Sequence, residues 1–268
     1  VSGNFVVVGA PEDDTGEDVT GIAYVYDLSA ADPTVPRYTL QDPNPGENDT
    51  FGWSVAIDGN PVVIGAPEGN WGNMDAGCAY VYDLSSATPS VPTLQLGNPN
   101  AGGDNFGVSV GVSGDRVVVG AAPDGTGGDS CRAYVYEVTS ETPTTPAVTL
   151  AADTPASNDH FGLVVAISGD TVVVAAPQED TAAQNSGTCY TFDVGSETPA
   201  VPVLTIPNPT PALNDNFGSS LSLAGNMLAV GAHLDDQGGT DTGRAYIFNL
   251  TSGSPAVPGN TVDNPSPQ

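Results

Sequence analysis

The sequence has no lysine and only four arginines, Arg37, Arg116, Arg132 and Arg244, against 32 aspartates and glutamates. A formal net charge of −28 repels nucleic acid and anionic lipid while attracting cations, so a nucleic-acid partner is excluded. Cysteine is scarce as well. Cys78, Cys131 and Cys189 are too few, and odd in number, for a disulfide framework, which leaves stability to packing. Each reads as a small buried apolar side chain, with a bridge or a reactive thiol as the alternatives. No apolar run has the length of a membrane span and no leader peptide pattern is present, so membrane insertion is not expected and the chain reads as mature or as cut from something longer. Sustained helical periodicity is missing too, which argues against a helical bundle.

What the chain does have is 33 glycines and 24 prolines among 268 residues. That composition describes short strands separated by turns, and the length suits one large all-β domain. The strongest pattern is internal repetition. Phe51-Gly52, Phe106-Gly107, Phe161-Gly162 and Phe217-Gly218 recur at steps of 55, 55 and 56 residues. A second mark follows each pair: Gly-Ala-Pro at 9 to 11 and 65 to 67, with variants at 120 to 123, 175 to 177 and 231 to 233. The third mark alternates small, aromatic, apolar and aromatic, as in Ala23-Tyr24-Val25-Tyr26, and recurs at 79 to 82, 133 to 136, 189 to 192 and 245 to 248.

One unit reads as four strands. Residues 51 to 57 place bulky Phe51, Trp53, Val55 and Ile57 in alternation with small Gly52, Ser54 and Ala56, which is strand period. Asp58-Gly59 predicts a hairpin turn into a buried strand at 61 to 66. A third strand is expected around Tyr80 to Leu84, and a short fourth near Thr93 to Leu96 after a Ser/Thr/Pro-rich connection. The fold class expected is therefore all-β, a β-propeller of five four-stranded repeats at approximately 1–46, 47–101, 102–156, 157–212 and 213–268, forming a single domain. The first repeat lacks its first strand, so truncation, a longer array or a strand from a neighbouring molecule is expected to complete it.

These marks resemble the FG-GAP repeat family, known from integrin α-subunit propellers and bacterial surface proteins, and the resemblance covers essentially the whole chain. It implies a β-propeller, extracellular or cell-surface placement and ligand binding through loops. Integrin-like repeats often carry a calcium loop between their first two strands. Here that connection is only Asp58-Gly59-Asn60, Ser113-Gly114-Asp115, Ser168-Gly169-Asp170 or Ala224-Gly225-Asn226, so those calcium sites do not carry over.

The acids gather in two kinds of loop. Loops between second and third strands contain Glu12-Asp13-Asp14 with Asp18, Glu68 with Asp75, Asp124 with Asp129, Glu179-Asp180, and Asp235-Asp236 with Asp241. Lead-in loops end in Asp49, Asp104, Asp159 and Asp215, each two residues before the Phe. In a propeller both emerge on one face, which predicts an acidic rim. Carboxylates in glycine-rich loops suit calcium, the one cofactor considered, and the candidate ligands are Asp13, Asp14, Asp18, Asp235, Asp236 and Asp241. Alternatively these acids solvate loops and form turns.

Some five-bladed propellers are glycoside hydrolases with carboxylates lining a central channel. The first strands carry none, and His160 and His233 stand alone, so the chain is read as a non-enzyme. Asn48-Asp49-Thr50 and Asn249-Leu250-Thr251 are glycosylation candidates at Asn48 and Asn249, and Trp71 could stack on a ligand. The expected function is an extracellular adhesion or recognition module that binds a protein or glycan through acidic loops, with calcium assisting. The alternative is self-association into a filament, array or coat.

Overall fold

A computed structural model describes residues 1–13, 20–46, 48–69, 76–100, 104–122, 131–153, 158–237 and 239–265. Its described residues form nineteen strands in five antiparallel sheets and no helix. The first sheet has three strands, β1 (Phe5–Ala10), β2 (Ile22–Asp27) and β3 (Tyr38–Gln41). The second runs β4 (Ser54–Ile57), β5 (Pro61–Ala66), β6 (Cys78–Asp83) and β7 (Leu94–Gly97). The third contains β8 (Ser109–Ser113), β9 (Arg116–Ala121), β10 (Arg132–Glu137) and β11 (Val148–Leu150). β12 (Val164–Ser168), β13 (Thr171–Ala176), β14 (Thr188–Asp193) and β15 (Pro202–Pro207) make the fourth. The fifth comprises β16 (Ser220–Ala224), β17 (Met227–Ala232), β18 (Arg244–Asn249) and β19 (Asn260–Asp263).

Each sheet is a meander of sequential neighbours, so the chain has the all-β, blade-like architecture of a β-propeller that its repeats predict, the first sheet being one strand short. Two compact units can be distinguished: Val1–Pro123 with Tyr134–Ala147, and Asp124–Ala133 with Val148–Gln268.

The hairpins form where Gly follows a polar or small residue. Asp58 N–H donates to Pro61 C=O at 3.1 Å, and Gly59 takes a φ of 64°. In the second, third and fourth sheets the strand after the hairpin is apolar beyond its first residue and buried on both faces, as in β5, where Val62, Val63, Ile64 and Ala66 are fully buried.

One expectation needs correction. Phe51 and Trp53 do not share a face of a strand: Phe51 is fully buried while Trp53 is 55% exposed, and the strand begins only at Ser54. Gly52 adopts a φ of 93° and Trp53 N–H closes a turn on Thr50 C=O at 3.0 Å, which breaks the period of two. Gly107, Gly162 and Gly218 repeat that conformation with φ of 97°, 94° and 99°. The Phe-Gly mark is thus a turn that drops a ring into the core.

The ring lands on the third mark of its own repeat. Phe51 lies 5.5 Å from Tyr80 and 6.4 Å from Tyr82, Phe106 lies 5.7 Å from Tyr134 and 6.4 Å from Tyr136, and Phe217 lies 5.5 Å from Tyr246 and 6.1 Å from Phe248. These aromatic faces close against the small and β-branched face of the preceding sheet. In the first unit Ala23, Val25 and Leu40 cover the Phe51 cluster, and Val63, Ala79, Val81 and Leu96 cover the Phe106 cluster. Within the second unit Val173, Ala175, Cys189 and Ile206 cover Phe217. Glycine lets the backbones approach: a Cβ on Gly9 of the Gly-Ala-Pro mark would fall 1.9 Å from the Gly52 carbonyl oxygen.

Candidate functional site

The two sets of loop acids part company in the structure. All four lead-in aspartates are buried, with Asp49 at 1%, Asp104 at 0%, Asp159 at 8% and Asp215 at 0% exposure, so the expected acidic rim does not include them. A buried carboxylate must be satisfied locally. Asp49 accepts from Gly46 N–H at 2.5 Å, and Asp215 from Ala212 N–H at 2.6 Å and the Asn208 amide at 2.7 Å. Asp104 is bonded to the Asn98 amide. Burial raises the Asp215 pKa above its ordinary value, and the nearby Asp235 charge adds to the effect. Asp49, Asp104 and Asp215 thus staple the loops that deliver their Phe-Gly turns.

The loops between second and third strands are anchored by tyrosine. Asp13, Glu179 and Asp235 occupy one position: their N–H groups donate to Ala10, Ala176 and Ala232 C=O, and their C=O groups accept from Gly21, Gly187 and Gly243 N–H. Each carboxylate receives the hydroxyl of the tyrosine eleven residues onward. Tyr24 donates to Asp13 at 3.0 Å, Tyr190 to Glu179 at 2.8 Å, and Tyr246 to Asp235. Keeping the phenol neutral serves the bond, and the Tyr246 pKa is pushed up to about 12, first by burial and then by Asp235. For Tyr24 the bond to Asp13 is itself the main cause of a raised value.

In the second repeat Gly69 holds that position, as Gly69 N–H to Ala66 C=O and Gly77 N–H to Gly69 C=O show. Without an acid there, Tyr80 turns to Asp42 in the lead-in loop, at 2.7 Å. The anchoring pair was detectable in the sequence as an acid eleven residues before the first aromatic of the third mark, a spacing that composition alone does not reveal.

Of the six candidate calcium ligands, Asp14 and Asp18 lie outside the described residues. Asp13 serves Tyr24, and Asp235 is fully buried against Tyr246, Thr210 and the Gln237 N–H. Asp236 accepts from Asp241 N–H at 2.9 Å, and Asp180 makes the same turn with Asn185 N–H at 2.8 Å. Asp236 and Asp241 carry exposed carboxylates on one loop, but among the described residues no group of three or more His, Cys, Asp or Glu is placed to hold a metal ion. The sequence brought Asp235, Asp236 and Asp241 together as ligands; the fold gives the first two separate structural bonds.

Around these anchors the surface remains acidic. Glu12, Glu68, Asp180, Asp236 and Asp241 are exposed, and the described ion pairs Arg37–Asp27, Arg116–Glu137 and Arg244–Asp263 engage acids elsewhere. Asn48 and Asn249 are exposed as well; Asn249 Oδ1 accepts from the Thr251 hydroxyl at 2.9 Å. Trp71, Asp75, Asp124 and Asp129 fall outside the described residues. Strands β4, β8, β12 and β16 contain no carboxylate. The exposed ring that the sequence reading missed is Trp53, which the Gly52 turn swings out of the core.

No helix among the described residues is long and apolar enough to cross a membrane. A family model described as FG-GAP repeat matches residues 39–82, 99–136, 145–192 and 211–248, together more than half of the chain. No curated protein matches it.

Proposed function

Because the chain belongs to the FG-GAP repeat family, we propose that it is a non-catalytic recognition module of the extracellular space or cell surface, binding a protein or glycan through its acidic loops. The observation that carries this reading is the division of labour inside three of these loops, in the first, fourth and fifth repeats. One acid is tied to a tyrosine at the base, while Glu12, Asp180, Asp236 and Asp241 stand exposed beside it. A loop held at its base loses less conformational entropy when its tip is engaged. With a net charge of −28, cationic partners are drawn in over long range. Calcium enters the proposal as a bridge between exposed carboxylates and a ligand.

The test is a binding screen of the whole chain against a glycan panel and surface proteins, with and without calcium. The triple variant Asp180→Asn, Asp236→Asn, Asp241→Asn is run in parallel. Binding that weakens in the variant and falls steeply with salt is the expected outcome. If the variant keeps every partner at unchanged affinity, the loops are not the binding surface.

A second reading, assembly into an array or filament, rests on the fifth sheet. Ala229, Ala245, Ile247 and Val262 hold the positions of Val63, Ala79, Val81 and Leu96 in the second. Those of the second sheet are buried by the next repeat, whereas Val262 is 57% exposed and its neighbours are half-buried. A further repeat from a second copy would cover that face as Phe106 and Tyr134 cover the second sheet. Sedimentation should then show concentration-dependent oligomers that Ile247→Glu disperses, and a monomer at every concentration would remove this reading.

A further inference from the structure

The lead-in loops use one position in two chemical forms. Asn98 Oδ1 accepts from Asn100 N–H at 2.8 Å, and Asn208 Oδ1 from Thr210 N–H at 3.0 Å. That leaves the amide nitrogen to donate. Asn98 Nδ2 reaches Ala76 C=O at 2.8 Å and the Asp104 carboxylate; Asn208 Nδ2 reaches Ser186 C=O at 3.2 Å and Asp215 at 2.7 Å. Asn264 Nδ2 makes the same bond to Thr242 C=O at 3.0 Å. The side chain is therefore a hydrogen-bond donor between a backbone carbonyl and, in the third and fifth repeats, a buried carboxylate.

In the loop leading into the second repeat the residue is Asp42. Its Oδ1 accepts from Asn44 N–H at 2.8 Å, the bond that fixes Asn98 and Asn208, and also from the Tyr80 hydroxyl at 2.7 Å. Asp42 Oδ2 thus stands where the other repeats place the donating nitrogen. The carbonyl there belongs to Thr20, which matches Ser186: Phe51 N–H donates to Thr20 C=O at 3.0 Å and Phe217 N–H to Ser186 C=O at 3.1 Å. The carboxylate is that of Asp49, 1% exposed. Asp42 is itself only 7% exposed, and its Oδ2 is buried without a hydrogen-bond partner. An acceptor-only oxygen set against a carbonyl and a second carboxylate is unsatisfied and repelled; one proton turns it into the donor the site requires.

We propose that Asp42 is held as the neutral carboxylic acid, donating from Oδ2 in place of the asparagine amide, and that it forms a proton-operated latch on the loop carrying Phe51 into the core. The titratable groups facing it among the described residues are Asp49 from the same loop and Cys78, Tyr80 and Tyr82 from β6, none of them cationic at neutral pH. Burial, reinforced by the Asp49 charge, raises the Asp42 pKa, in keeping with the geometry. As pH climbs from the ordinary aspartate range through the raised folded value, the folded protein holds a proton that the unfolded chain has released. Stability falls across that window and then levels off. The corresponding residue of the loop leading into the fourth repeat, Asp153, is exposed, so the device is confined to the loop leading into the second.

The test compares melting temperatures of the whole chain and its Asp42→Asn variant from pH 4 to pH 8, with Asp153→Asn as control. Asp42→Asn should melt higher at neutral pH, by about 3 °C, because the amide donates without a proton that must be held after the unfolded chain has released it, and the advantage should shrink to nothing towards pH 4. Asp153→Asn should show no such pH-dependent difference. A carboxyl 13C titration of the unaltered chain provides a second readout that needs no variant. Among the aspartates still protonated where the exposed acids have ionised, one signal should be that of Asp42 and should be missing from Asp42→Asn. The proposal is overturned if the Asp42→Asn difference is flat or negative across the range, or if no late-titrating carboxyl signal is lost in Asp42→Asn. It is equally overturned if calcium alone stabilises the unaltered chain at neutral pH and Asp42→Asn abolishes that effect, since the position would then hold a cation in place of a proton.

Discussion

Gly65 and Gly107 stand back to back: a Cβ added to Gly65 would lie 2.0 Å from the Gly107 carbonyl oxygen and 2.3 Å from Ser54 Oγ. The Gly-Ala-Pro mark of one repeat and the Phe-Gly mark of the next are therefore the two sides of one backbone contact. Gly65→Ala is expected to cost roughly 2–3 kcal/mol, because backbone must move to admit the methyl group. Gly59→Ala, at a hairpin tip with nothing within 4 Å, suffers only its φ of 64° and should cost about 1 kcal/mol. Urea unfolding of both variants separates contact from conformation; equal losses would refute the close-packing account.

Tyr246 and Asp235 yield a prediction about alkaline pH. The phenol is raised from its ordinary 10.0 to about 12, so between those values the folded state keeps a proton that the unfolded state has lost. Stability should consequently decline as pH rises from about 10 to 12. Tyr246→Phe should flatten this part of the decline and cost about 1–3 kcal/mol at neutral pH, since buried Asp235 keeps Thr210 and the Gln237 N–H but loses its hydroxyl donor. Melting curves against pH for both proteins provide the check.

Phe217 illustrates the ring that each Phe-Gly turn delivers. It is fully buried against Tyr246 and Phe248, so Phe217→Ala should cost about 3–5 kcal/mol through lost transfer energy and a residual cavity. Leu213 lies four residues earlier and is 57% exposed; Leu213→Ala should stay within about 0.5 kcal/mol. Denaturant midpoints that fall together for the two variants would contradict this assignment.

The thiols should be inert in the folded protein. Cys78, Cys131 and Cys189 are buried, and burial pushes the Cys78 pKa up to about 12 and raises that of Cys189. Thiolate is the reactive form, so a disulfide reagent should label the native chain slowly and all three sites promptly in denaturant. Rapid labelling of native Cys78 would show that the Tyr80 layer above it opens readily.

Five repeats, the hairpins at Asp58-Gly59 and its counterparts, and the doubly covered strands such as Val62 to Ala66 were legible in the sequence. Strand period and turn chemistry are local properties, written within a few residues. Cysteine as core filler was equally readable, because a small apolar side chain in a strand has one obvious place to go. By contrast, Phe51 and Trp53 looked alike by alternation until the φ of Gly52 sent one inward and the other out.

The acids depended on tertiary structure most of all. Asp49 and Asp236 are the same residue type in similar polar loops, yet the first is buried and the second exposed. What separates them is the set of donors and acceptors brought up by distant chain: Thr20 for the Asp42–Asp49 loop, and Tyr246 for Asp235 beside Asp236. Sequence by itself determined how many sheets form and which strands compose them, since backbone pairing and apolar pattern act over short range. Only the packed fold decided which carboxylates became structural, because the free energy of a buried charge is set by partners that meet it only once the sheets have closed.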